Sequence, residues 1–117
     1  MILGDETNRK VAALVKGEGF EVVQTSKIQE ALGNLTQKKF DVVLIDSLFP
    51  KADEACYLVK ETTTIPVVLV TNGHQIDWNK YKVLDVDGFL PEKAPKVEFI
   101  ARIKAIVRGS NNVKVTA

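Results

Sequence analysis

The chain has 117 residues, 45 % of them hydrophobic and 26 % charged, with a formal net charge of +1: one domain able to bury a single core. One cysteine, Cys56, excludes an internal disulfide, and with the one histidine, His74, it cannot form the usual zinc cage. No Lys/Arg run makes a phosphate-binding stripe, and no stretch reads as a signal peptide or a membrane span, so the expectation is a cytoplasmic domain that binds neither nucleic acid nor membrane.

In chain order, Met1–Leu3 reads as a stub of strand, followed by the loop and cap types Gly4, Asp5, Glu6, Thr7 and Asn8. Val11, Ala12, Leu14 and Val15 recur at helical spacing, closed by Gly17 and Gly19. Phe20–Gln24 predicts a second strand. Ser26 is positioned to cap a second helix with Ala31, Leu32 and Leu35 inside. Val42–Ile45 is an apolar third strand that runs into Asp46. Asp53 is positioned to cap a third helix carrying Ala55, Leu58 and Val59. Pro66 biases Ile65 away from helix, and Val67–Val70 is the fourth strand. A fourth helix is predicted over about Gln75–Leu84, and a short fifth strand over Gly88–Leu90. Pro95 suits a first helical turn, and Val97, Ile100, Ala101, Ile103, Ala105, Ile106 and Val107 mark a last amphipathic helix. Residues 109–117 are polar and read as a tail or the start of a linker after a domain at 1–108.

The pattern is βα repeated five times. Strands that are apolar without alternation are buried on both faces, as in a parallel sheet with helices on each side. Right-handed crossovers make that sheet doubly wound, and ligands then sit outside the carboxyl ends of its strands. Asp5 and Glu6 follow the first strand, Asp46 the third and Thr71 the fourth. Singly, each is an ordinary solvated strand end. As a set at one edge they suit Mg²⁺, which prefers oxygen ligands, and a carboxylate beside such an ion can accept a phosphoryl group. The Thr71 hydroxyl and a lysine can then bind phosphoryl oxygens. Nothing matches GxxxxGK[ST] or GxGxxG, and no Ser–His–acid set is visible, so no enzyme is expected.

These stretches, in this order, resemble the receiver domain of response regulators in two-component signalling, over roughly residues 1–108. "FDVVLIDSLFP" resembles the family's strand, phospho-accepting aspartate and loop; "IPVVLVTN" the fourth strand with its switch threonine; "DGFL" the fifth strand with its aromatic switch residue. "GEGFEVV", "EALGNL" and "FIARIKAIVRG" resemble the second-strand turn, the second helix and the last helix. The resemblance implies a flavodoxin-like α/β fold with strand order 2-1-3-4-5. It implies that Asp46 is the phosphoacceptor, that Asp5 and Glu6 hold Mg²⁺ with Asp46, and that Thr71, Phe89 and a lysine bind or report the phosphoryl group. The implied partner is a histidine kinase or phosphotransfer protein. The face made by the fourth helix, fifth strand and last helix is the implied contact surface, for a homodimer among others. Trp78, Tyr81, Lys82 and Arg102 are its candidates here, although Trp78 and Tyr81 also suit the core.

The sequence departs from the family at four places. In "LGDETN", either Asp5 is the second acid with Gly4 in the place of the first, or Asp5 and Glu6 are the pair in a tightened loop. In "FLPEKAP", Glu92 stands where the family has its lysine; Lys93 reaches that site only if Pro91 forces a bulge. Glu54 replaces a loop glycine, and Asn72 a small residue after the threonine. Two readings follow: a receiver phosphorylated on Asp46 in an atypical setting, or a pseudo-receiver that acts by protein contact without phosphorylation. His74 reads as a surface-loop residue, Cys56 as a small buried hydrophobe and Lys38–Lys39 as a solvated helix end.

Overall fold

A computed structural model describes residues 1–4, 13, 16–17, 23–71 and 76–116. The apolar positions of the first predicted helix (Val11, Ala12, Leu14 and Val15), the acids Asp5 and Glu6, the start of the second predicted strand, and Asn72, Gly73 and His74 lie outside the described residues.

The described elements are β1 (Ile2–Leu3), β2 (Gln24–Thr25), α1 (Ile28–Gln37), β3 (Val43–Asp46), α2 (Ala52–Thr62), β4 (Val67–Thr71), α3 (Trp78–Val83), β5 (Gly88–Pro91) and α4 (Lys96–Thr116). The strands form one parallel sheet in the order β2-β1-β3-β4-β5. Ile45 pairs with Leu3 on one side and Leu69 on the other, and Leu69 pairs with Phe89.

The apolar runs of β3 and β4 split by parity between two faces, because successive strand side chains point to opposite sides. Val43, Ile45, Val67 and Leu69 pack with Ala31 and Leu35 of α1, Ala52, Ala55, Cys56 and Val59 of α2, and Tyr81 of α3. Val42, Leu44, Val68 and Val70 pack on the other face with Phe99, Ile100 and Ile103 of α4. Uninterrupted apolar strands thus find helices on both sides, and each fully buried Val, Leu or Ile contributes about 1.5–3 kcal/mol.

Helix starts follow tertiary context rather than the nearest cap residue. Lys27, not Ser26, is the N-cap of α1, and its backbone N–H donates to Thr25 Oγ1 (3.2 Å). α2 starts at Ala52 behind Lys51, which lies in the left-handed region (φ 55°), so Asp53 falls in the first turn instead of capping it. Asp77 does cap α3, accepting from Lys80 N–H. α4 continues past Val107, the last apolar position of the predicted amphipathic helix, to Thr116; extending a nucleated helix costs far less than starting one. Val97, predicted on its inner side, is exposed, and Phe99 is the deeply buried residue of that turn.

Candidate functional site: the carboxyl edge of the sheet

Asp46 is the last residue of β3 and is 1 % exposed. Three hydrogen bonds set the backbone that leaves it. Ser47 N–H donates to Val70 C=O (2.9 Å), Phe49 N–H to Asp46 C=O (2.9 Å), and Leu48 N–H to Asp46 Oδ1 (2.9 Å). The last of these orients the carboxylate from within its own loop, an Asx-type turn. Asp46 pairs with Val70, so Thr71, half-buried at the end of β4, lies one residue beyond it on the neighbouring strand. On the other side, the register that pairs Leu3 with Ile45 brings the buried Gly4 level with Asp46, and Asp5 is the next residue in the chain.

The β5 end has a regular register. Phe89, Leu90 and Pro91 pair with Leu69, Val70 and Thr71, and Glu92 N–H donates to Thr71 C=O (2.8 Å). Alternation along the strand then turns the Pro91 nitrogen to the open edge, where a missing N–H costs no ladder bond. No bulge therefore forms at Pro91. Glu92 holds the third position past Phe89, directly beside Thr71, and Lys93 is exposed in the turn that Ala94 N–H closes onto Pro91 C=O (3.0 Å). Among the described residues no three potential metal ligands cluster; Asp46 alone of the predicted metal set is described.

Phe89 is half-buried against the core cluster of α2 and Tyr81. The ring of Trp78, at the start of α3, meets it edge-to-face, with centroids 4.7 Å apart at 77°. A separate half-open groove of about 560 Å³ runs between the start of α1 and the loop Phe49–Lys51; neither Asp46 nor Thr71 lines it.

The chain is 33 % identical over 108 residues to the transcriptional regulatory protein CpxR homolog of Haemophilus influenzae, covering 90 % of this chain and 47 % of that protein. It is 30 % identical over 117 residues to the transcriptional regulatory protein CpxR of Escherichia coli K12, covering 94 % and 50 %. The crystal structure of a CheY-like response regulator receiver domain protein from Methanospirillum hungatei JF-1 superposes with a TM-score of 0.83 at 16 % identity, over 95 % of this chain and 94 % of that one. The chain is a response-regulator receiver domain. It spans about half the length of the curated relatives it matches. No family model matches it.

Of the residues predicted on this receiver's contact face, Trp78, Lys82 and Arg102 are exposed, and Arg102 is paired with Glu98 (2.8 Å). Tyr81 is corrected to a core residue: one helical turn from Asp77, it faces the sheet and is 8 % exposed. Burial pushes its phenol up to about 12. Cys56 is fully buried, and desolvation pushes its thiol up to about 12, so it is an inert core group as the sequence suggested.

Sequence reasoning missed two polar ties. Asp87 Oδ2 accepts from Val67 N–H (2.7 Å) and pairs with Lys60 (2.8 Å), while its own N–H donates to Val67 C=O (2.8 Å). Lys80 of α3 pairs with Asp53 of α2 (2.7 Å); that bond holds the Asp53 carboxyl below its ordinary range and the Lys80 ammonium above its own. The signal for the first was an acid, Asp87, immediately before a short edge strand. The second joins residues 27 apart, and nothing local announces it. No described helix is long and apolar enough to cross a membrane.

Proposed function

We propose that this domain is a phosphorelay receiver, not an enzyme, that accepts a phosphoryl group on Asp46 from a phosphohistidine of a histidine kinase or phosphotransfer protein. The observation that carries the reading is the buried Asp46 carboxylate at the carboxyl end of a central strand, one residue from Thr71 across the ladder. A carboxylate oxygen of Asp46 attacks phosphorus, the P–N bond breaks, and the imidazole leaves as its nitrogen takes a proton. Leu48 N–H holds Oδ1 so that the group is oriented before the donor arrives.

A hard oxygen donor at Asp46, with Asp5 next in the chain after the residue level with it, fits Mg²⁺. Asp5, Glu6 and Asp46 would hold the ion, which neutralises charge on the transferred group when bound. The Thr71 hydroxyl bonds a phosphoryl oxygen and Phe89 re-packs in response, whereas Lys93, with no bulge at Pro91, stays in the exposed turn and does not supply the expected cation. The added charge biases a surface of α3, β5 and α4, where Trp78, Lys82, Arg102 and the exposed Val83 and Val97 are available to a partner or a second copy. The domain works in the cytoplasm, where such kinases deliver their phosphoryl groups.

One observation favours a second reading. The regular β5 register places Glu92 beside Thr71, and a carboxylate there repels a phosphoryl group. A pseudo-receiver that keeps the fold and acts by protein contact is consistent with it. The test is incubation with acetyl phosphate and Mg²⁺ read by intact mass. One added phosphoryl mass, absent in Asp46→Asn and accumulating faster in Glu92→Lys, supports the receiver. No added mass in wild type or in Glu92→Lys leaves the pseudo-receiver.

A further inference from the structure

Trp78 is the one tryptophan of the chain, and about half of its surface is exposed. A tryptophan at an exposed helix start carries a large apolar surface for no core purpose. Here it has a specific task in view: its ring stands edge-on to Phe89 at 4.7 Å, a favoured geometry for an aromatic pair. The helix that carries it is only Trp78–Val83, too short to hold itself, yet it is fixed at three points. Asp77 caps its first turn, Tyr81 is buried beneath it, and Lys80 pairs with Asp53 in the first turn of α2. α2 in turn begins six residues after Asp46. A chain of fixed contacts therefore runs from the Asp46 loop through α2 and α3 to the Phe89 ring.

We propose that Trp78 is the positioning residue that pins Phe89 in its present orientation, so that Phe89 cannot re-pack without breaking the Trp78 contact. The pinning holds in the unmodified protein. Its effect on switching rests on the phosphorylation reading above. An edge-to-face pair of this kind biases a two-state ring equilibrium about two- to tenfold. The Lys80–Asp53 pair sets where Trp78 sits and is exposed, so its share is smaller and falls with salt.

The test labels the protein with fluorophenylalanine and follows Phe89 by fluorine NMR, its resonance assigned by loss in Phe89→Leu. In Trp78→Ala the Phe89 resonance should shift and broaden into exchange, with the other phenylalanine resonances unmoved, and Trp78→Phe should restore it. Tryptophan emission of Phe89→Leu should move to the red and quench more readily with acrylamide. Thermal melts show that each variant is folded. An unmoved Phe89 resonance in Trp78→Ala, or unchanged emission in Phe89→Leu, overturns the proposal. With acetyl phosphate and Mg²⁺, a sample that gains the phosphoryl mass should change Trp78 emission and the Phe89 resonance together. Added mass without either change also overturns it. Absence of added mass counts against phosphorylation of Asp46, and the pinning is then judged by the two measurements on unmodified protein.

Discussion

The centre of the sheet and its β5 edge are held by different physics. β3 and β4 are buried on both faces by aliphatic side chains, and their register follows from a continuous apolar run. β5 lies at the margin, and polar ties secure it: the Asp87–Val67 backbone pair, the Asp87–Lys60 ion pair and the Glu92–Thr71 bond. Non-directional burial fixes a centre robustly, whereas each polar tie depends on one donor and one acceptor. The candidate phosphoacceptor sits on the robust side and its doubtful neighbour Glu92 on the other.

Four substitutions or conditions break that contrast, in falling order of effect. Leu69→Ala, at a fully buried position on β4, should cost about 2–5 kcal/mol in urea unfolding, the range for large-to-small core changes. Asp87→Ala should cost about 1–3 kcal/mol, because the buried Val67 N–H loses its side-chain acceptor. Its signature is hydrogen exchange that accelerates at Val67 and along β5 before it does along β3.

Alkaline pH attacks the centre instead. The Cys56 thiol stands at about 12 against an ordinary 9.0, and the Tyr81 phenol at about 12 against 10.0. Between those values the unfolded chain releases protons that the folded one keeps. Stability is therefore whole below pH 9 and falls as pH rises from about 9 to 12. Chemical denaturation across that range should show the decline, and Cys56→Ala should flatten its first part. The smallest effect is a gain: Lys51→Gly removes a side chain from a left-handed backbone and should raise stability by about 1 kcal/mol. A melting temperature unchanged or lowered would refute the strain at that turn.

The same contrast governs what the sequence disclosed. The runs Val42–Ile45 and Val67–Val70 announced strands buried on both faces, and the helical patterns that alternate with them announced the parallel sheet, the fold class and the site's edge. Positions fixed by long-range pairing were opaque. Ser26 and Asp53 looked like helix caps, yet Thr25 and the turn at Lys51 set those starts. Tyr81 suited core and surface equally until α3 was seen seated on the sheet. Pro91 in "FLPEKAP" invited a bulge that would have delivered Lys93. At an edge strand the proline is tolerated in register, so Glu92 comes beside Thr71.

Pro91 has one further consequence. A sheet margin grows by adding a strand only if it offers a regular row of donors and acceptors. β5 spans Gly88–Pro91 and its proline interrupts that row on the open side. That margin is therefore a poor template for fibril growth or strand exchange. Addition of a strand at β5 is thereby disfavoured, and association on that side of the sheet is steered to the neighbouring helical surfaces.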